Sequence, residues 1–370
     1  MILRTKRKRK NRIMNAMKKE RIVLIVCGVL AALVAVMLAA GGNPGNMAIC
    51  VACFIRDSAG AMKLQTVETL QYLRPEIIGI VLGAAIMAIG RKEFRATAGS
   101  SPVIRFFLGF IVMIGALVFL GCPLRMVLRM AGGDLNAWVA LVGFAAGIGT
   151  GIFFLKKGFS LGRAEKVAKA EGAAFPVVLT GLLVLSVATT VFAVSTSGPS
   201  SMHAALPISL IGGLVFGAVA QVSRMCFAGC LRDVFLVRDG KGMIVIAILF
   251  GGMLVYNLVM GTFNLGFSDQ PIAHSDALWN ILGMYVVGFG ATLLGGCPLR
   301  QLTLAGQGSA DSAVTVLGML LGAAFAHNFG LASSPAGPTA AGQLATVVCI
   351  AALFVVAFVF MKKRHRKESS

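Results

Sequence analysis

Gly121-Cys122-Pro123-Leu124-Arg125 closes one long apolar run, and the same five residues return as Gly296-Cys297-Pro298-Leu299-Arg300 at the close of another. A second pair of segments precedes them in the same order, Cys50-Val51-Ala52-Cys53-Phe54-Ile55-Arg56-Asp57 and Cys226-Phe227-Ala228-Gly229-Cys230-Leu231-Arg232-Asp233. The offsets are 175 and 176 residues, so the chain repeats itself. At each Gly-Cys-Pro-Leu-Arg, Gly can take the left-handed conformation that ends a helix and Pro can open a new one. The spacing therefore predicts a broken helix with Cys at the new N-terminus. Unpaired backbone N–H groups and the helix dipole favour an anion there.

Working outward, the chain has 370 residues, 57% hydrophobic and only 13% charged, about half the charge of a soluble domain. Long stretches carry no charge at all: 172–223, 242–268, 277–299 and 312–361. A helix needs about 20 apolar residues to cross roughly 30 Å of hydrocarbon. Ten spanning helices are expected, at about 22–40, 76–90, 103–121, 137–155, 174–196, 206–222, 242–264, 277–295, 312–331 and 342–361. The first could be mistaken for a signal peptide, but its 19 apolar residues exceed the usual core of about 7–15, so a retained helix is expected.

The net charge of +20 lies largely at the ends: residues 4–21 and 362–368 carry 13 of it. Basic flanks of apolar helices mark cytoplasmic ends and attract anionic lipid headgroups, so no nucleic-acid partner is expected. With both tails inside, Arg91–Arg105, Lys156–Lys169 and Arg232–Lys241 fall inside, whereas Ser195–Ala205, Gly266–Asp276 and Ala332–Ala341, free of Lys and Arg, fall outside. Five helices per half give the halves opposite orientation. The organisation expected is a basic tail (1–21), a first membrane repeat (22–200), a second (201–361) and a second basic tail (362–370). The fold class is an all-α integral membrane protein with about ten spanning helices, short re-entrant or broken helices and two inverted-topology repeats. In such proteins the substrate site lies near the midplane between repeats.

The repeated polar residues are the candidate site. Cys50, Cys122, Cys226 and Cys297 are expected to line one path, with Arg125 and Arg300 adding positive charge three residues after their cysteines. The plain alternative is cysteines that are small residues at tight junctions and arginines reaching the headgroups. Arg56-Asp57 and Arg232-Asp233 are expected to be local ion pairs that orient re-entrant segments. Cys53 and Cys230 lack counterparts in the other copy and rank lower. Cys50-x-x-Cys53 is a weak redox or metal signal without a second pair, so neither metal nor cofactor is expected. Cys27 and Cys349, inside the first and last helices, read as packing residues. His327 beside Asn328 reads as a helix–helix hydrogen bond. The glycines of 143–151 and 318–322 read as close-packing contacts.

At these residues the sequence resembles the YeeE/YedE family of membrane proteins, and its YedE-type selenium transporter branch, from about Gly45 to Pro338. The stretches that carry the likeness include Asn46–Asp57, Leu120–Asn136, Gly295–Gly306 and Ala323–Pro335. The resemblance implies an inner-membrane bundle that takes up reduced sulfur or selenium species, the better-understood branch passing thiosulfate along cysteine thiols. It places Cys50, Cys122, Cys226 and Cys297 on that path. A transporter rather than an enzyme is expected, with a small selenium or sulfur species as cargo and thiosulfate as the alternative. The rival class is a membrane selenium or sulfur transferase handing the atom to a cytosolic carrier protein. No phosphate-binding Gly-x-x-x-x-Gly-Lys-[Ser/Thr] loop occurs, so energy would come from a gradient or a partner.

Overall fold

The computed structural model describes residues 2–361, with side chains placed from Met17 onward. The tail expected at 362–370 lies outside the described residues. Among the described residues fourteen α-helices make up the fold, and the sheet structure is a two-residue ribbon, Thr97–Ala98 with Glu165–Lys166.

Ten of the helices correspond to the expected spans: α1 (Ile2–Ala40), α3 (Pro75–Gly90), α4 (Pro102–Phe119), α6 (Leu135–Lys156), α7 (Lys169–Ala188), α8 (Leu206–Ser223), α10 (Met243–Val259), α11 (Ala277–Leu294), α13 (Ala310–Asn328) and α14 (Ala340–Val359). Among the described residues nine helical segments are long and apolar enough to cross a membrane, and α10, at 17 residues, is a shorter apolar tenth. Between them lie four short helices: α2 (Val51–Ala61), α5 (Pro123–Ala131), α9 (Phe227–Val237) and α12 (Pro298–Gly306). At 9 to 11 residues each is only about 14–17 Å long, too short to span.

Two boundaries differ most from the sequence expectation. The helix expected at 174–196 ends at Ala188, and the chain beyond it runs extended, Ala193 N–H bonding Ala61 O at 2.9 Å and Ser195 N–H bonding Gln71 O at 2.7 Å. Backbone partners on a neighbouring segment replace intrahelical ones there. At the start, α1 runs through the basic segment expected to be a tail, which contains neither Gly nor Pro to stop it.

The two halves interleave. Helix α6 packs on α11 and α4 on α13, while α3 packs on α8 and α1 on α10. Every pair joins one half to the other, and exchanging the halves converts each pair into its mate. Glycine makes these approaches possible. A Cβ on Gly143 would lie 2.0 Å from Ile281 O, and one on Gly318 would lie 2.0 Å from Phe106 O. Backbone meets backbone at both crossings, as the small-residue runs implied.

Among the described residues the exposed ion pairs gather at one end. Glu93 takes Arg91 at 3.4 Å and Arg224 at 3.9 Å, and Glu20 takes Lys241 at 3.0 Å. The other end is tied by contacts among the loops free of Lys and Arg, such as Ala204 N–H to Asn43 Oδ1 at 2.9 Å and Ser333 N–H to Leu117 O at 3.2 Å. We call these the basic end and the far end. The short helices of the first half, α2 and α5, enter from the far end, and those of the second half, α9 and α12, from the basic end.

Candidate functional site

All four repeated cysteines are N-caps. Cys50, Cys122, Cys226 and Cys297 each stand in extended backbone directly before α2, α5, α9 and α12. Four helix N-termini thus point into the protein interior, each with a thiol at its tip and the positive end of its dipole behind it.

The Gly-Cys-Pro-Leu-Arg break works differently from the expectation. Gly121 and Gly296 do not supply the left-handed turn. The residue before them does, Leu120 at φ +62° in the first copy and Gly295 at φ +81° in the second. The motif glycine instead makes room for its arginine: a Cβ on Gly121 would lie 2.9 Å from Arg125 Cδ, and one on Gly296 would lie 2.8 Å from Arg300 Cγ. The arginine side chain folds back over the break.

The cysteines pair within each half. Cys50 Sγ lies 3.8 Å from Cys122 Sγ toward the far end. Toward the basic end, Cys226 Sγ accepts from Gly229 N–H at 3.1 Å and from Cys297 N–H at 3.3 Å. The four thiols, expected along a single path, therefore stand in two separate clusters, here called stations. Contacts of α2 with α12 and of α5 with α9 join them through the centre of the bundle.

Each station has a third thiol that sequence alignment ranked too low. Cys53 sits three residues into α2 and Cys230 four residues into α9, positions that share a helical face with the N-cap. Counting residues across the repeats hid this, because offsets of three and four are neighbours on a helix but not in an alignment. Cys53 Sγ accepts from Arg125 Nη1 at 3.4 Å, and Cys230 lines the same cavity as Cys226.

The stations differ in access. Cys50, Cys53 and Arg125 are 0% exposed and Cys122 1%. Arg125 uses all five of its N–H donors: Nε on Asn46 O at 3.3 Å, Nη1 on Cys53 Sγ and Leu120 O, and Nη2 on Asn46 Oδ1 at 3.3 Å and Ile272 O at 3.0 Å. It clamps three loops together over the far station. Arg300 is half-buried and makes one long contact, Nη1 to Thr303 Oγ1 at 3.5 Å. It faces a cavity of about 500 Å³ lined also by Cys226, Cys230, Arg224, Arg232, Asp233 and Lys241. The anion-attracting role expected of both arginines is geometrically open to Arg300 here and spent on the protein in Arg125.

Both Arg-Asp pairs form. Asp57 is held by Arg56 at 2.7 Å and by Arg74 at 2.8 Å, wholly buried, with Arg74 stacked 4.5 Å over Phe54. Arg232–Asp233, at 2.9 Å, is partly exposed at the cavity. Sequence reasoning missed Arg74, and also Arg129, whose Nε meets Asp134 at 2.6 Å beneath the far-end loops. Cys27 and Cys349 are buried in packing positions. His327 departs from expectation: its Nε2 is buried without a partner, while Asn328 bonds Leu64 O at 2.9 Å. Among the described residues no three His, Cys, Asp or Glu side chains converge in a geometry that could hold a metal ion.

His274 ties the far-end loop to the break. Its Nε2 lies 2.8 Å from Val118 O and its Nδ1 accepts from Asp276 N–H at 3.3 Å, which sets the neutral tautomer. Burial lowers its pKa below the ordinary 6.5, opposed by the Val118 carbonyl. The unfolded chain takes a proton first, so this stability is complete above 6.5 and falls as pH drops toward the lower folded value. The melting temperature in detergent is expected to fall between about pH 7 and pH 5, and to fall less in His274→Gln. An equal fall in both would assign the effect to other groups.

Residues 222–369 match the sequence profile of a family described as sulphur transport. The matched segment holds the whole basic-end station. The thiosulfate transporter TsuA of Spirochaeta thermophila is 30% identical over 100 residues, 27% of this chain and 29% of its own. TsuA of Escherichia coli is 30% identical over 101 residues, 27% of this chain and 28% of its own. The chain thus aligns with less than a third of either curated relative.

Proposed function

We propose that the chain is a multi-pass transporter of the inner membrane, with both termini cytoplasmic, for a small sulfur oxyanion of the thiosulfate kind. The observation that carries this reading is the pair of three-thiol stations, each at two facing helix N-termini, one closed at the far end and one open at the basic end. Helix N-termini and arginine favour the charge of the anion. Thiols offer soft, polarisable contacts and weak S–H donors to its terminal sulfur. A closed station on one side and an open one on the other is the arrangement of a carrier facing the cytoplasm, built from inverted repeats. The basic tails would rest on anionic headgroups.

Selenium in place of sulfur would meet the same thiols, and resemblance to the YedE-type branch makes selenite and selenide the competing cargoes. The test is uptake of labelled thiosulfate, selenite and selenide into vesicles containing the purified protein. Saturable thiosulfate uptake, absent from empty vesicles, is expected. Uptake of the selenium species alone would move the assignment to selenium. A persulfide trapped on Cys226, with no uptake of any cargo, would replace the carrier by a transferase feeding a cytosolic carrier protein.

A further inference from the structure

We propose that Glu76 is the proton-binding carboxyl that couples anion movement to a proton gradient. This rests on the anion-uptake reading above. Glu76 is the second residue of α3 and is wholly buried, facing α8 and the connection from α1 to α2. Its Oε1 accepts from Asn43 Nδ2 at 2.9 Å and from Ser209 Oγ at 3.1 Å. Its Oε2 has no partner.

Glu76 stands apart from the other buried acids among the described residues. Asp57 and Asp134 hold guanidinium groups, and Asp311 accepts backbone N–H groups at both oxygens. Glu76 has no cation, because the nearby Arg74 is spent on Asp57, Pro199 O and Met202 O. A carboxylate with a bare oxygen inside a membrane protein is costly, and a proton on that oxygen removes the charge. The fold does not require an acid here: α10, the equivalent helix of the second half, has none from Met243 to Val259.

The carboxyl is placed to pass its charge state to the far station. Asn43, bonded to Glu76, also holds Ala48 O at 2.9 Å and Ala204 N–H at 2.9 Å. Two residues on from Ala48 is Cys50, and between them and Asn43 lies Asn46, which Arg125 grips by both backbone and side-chain oxygens. The 43–50 segment is thus held by Glu76 on one side and by the Arg125 clamp on the other. Ser209 Oγ is also 3.3 Å from Ala204 O, so its single proton can turn away when Glu76 no longer attracts it. Protonation weakens the grip of Glu76 on Asn43, and with it one of the two holds on the loop that closes over Cys50.

The ionisable groups around Glu76 are few. Tyr72 and His203 stack at 3.9 Å beside it, and the Arg56–Asp57–Arg74 group lies behind. Helix α8 has no ionisable residue, and α7 and α12 bring Lys169, Glu171 and Arg300 only toward the other end of α3. His203 is therefore the control. The energetic reason for coupling is the membrane potential, which opposes each negative charge moving to a negative interior. A proton carried with the anion cancels one charge.

The experiment is labelled thiosulfate uptake in vesicles with the potential clamped, an acid jump outside and a pH dye inside. In the wild type, accumulation should rise about tenfold per pH unit of gradient for each proton carried, with acidification of the lumen. Glu76→Gln should lose both while retaining thiosulfate exchange at equal pH, and His203→Gln should keep both. A wild type that exchanges thiosulfate but ignores the pH gradient, or follows sodium instead, overturns the Glu76 assignment alone. So does coupling that survives in E76Q or disappears in H203Q. A wild type that moves no thiosulfate under any gradient sinks the transport reading itself. Should E76Q fail to fold, infrared spectra of the wild type decide, since a buried carboxylic-acid C=O band that titrates across the transport range is required and its absence overturns the proposal.

Discussion

On the proposed reading, thiosulfate uptake is expected to fall on the order of 100-fold, about 2.7 kcal/mol of barrier, when Cys50, Cys122, Cys226 or Cys297 is replaced by serine. Serine preserves size and the N-cap geometry, and as an N-cap it is at least as good as cysteine. What it removes is the polarisable sulfur at the tip of each inward-pointing helix, so folding survives and passage does not. Cys27→Ala and Cys349→Ala are expected to remain active, because those thiols only fill packing sites on α1 and α14. Uptake at matched protein level decides between a path thiol and a junction residue, and four active serine variants would leave the cysteines as packing. Access is a separate readout. A membrane-impermeant thiol reagent applied from the basic end should label Cys230 and Cys226 through the cavity, and should leave Cys50, Cys53 and Cys122 unlabelled until transport opens the far end.

The two motif arginines are expected to fail in different ways. Arg125→Gln strands several carbonyl acceptors that the guanidinium now satisfies, at about 1–3 kcal/mol for each left unpaired, so the protein should lose thermal stability together with uptake. Lysine should not rescue it, since one ammonium cannot reach the acceptors of three loops. Arg300→Gln should fold normally, because the residue holds little but Thr303, yet it should raise the KM for the anion. Arg300→Lys should recover part of that loss by keeping the charge. Equal melting temperatures for the two Gln variants would show that the Arg125 clamp contributes little, and unchanged KM in R300Q would leave Arg300 as a headgroup anchor.

The long uncharged apolar stretches are enough to locate the ten spanning helices, because the cost of exposing a backbone polar group to hydrocarbon forces each such stretch into a helix. The repeated motifs likewise marked the four short helices, since Cys stands before each of them and Pro takes the first position of α5 and α12. Where sequence erred, the cause was contact across the chain. The end of α7 moved because Ala61 and Gln71 offered backbone partners to residues 193–195. Within the motif, the left-handed residue is Leu120 and not Gly121, whose missing side chain instead leaves room for the folded-back Arg125.

What the sequence by itself determined is therefore the local and the repeated: helix positions, the breaks, the thiols at the helix tips and the charge asymmetry of the loops. Only the tertiary structure decided which thiols meet, because a repeat dictates equivalence and says nothing of proximity, so Cys50 found Cys122 within its own half. It also decided that two identical Gly-Cys-Pro-Leu-Arg segments hold unlike arginines, since Arg125 meets the loops at 46, 120 and 272 while Arg300 meets an open cavity. And it singled out Glu76, an unremarked acid at the start of a helix, whose isolation exists only once Arg74 has been drawn away to Asp57. The physical reason is common to all three: most partners of these buried groups come from residues 17 to 147 positions distant in the chain, and no local pattern records which of them arrive.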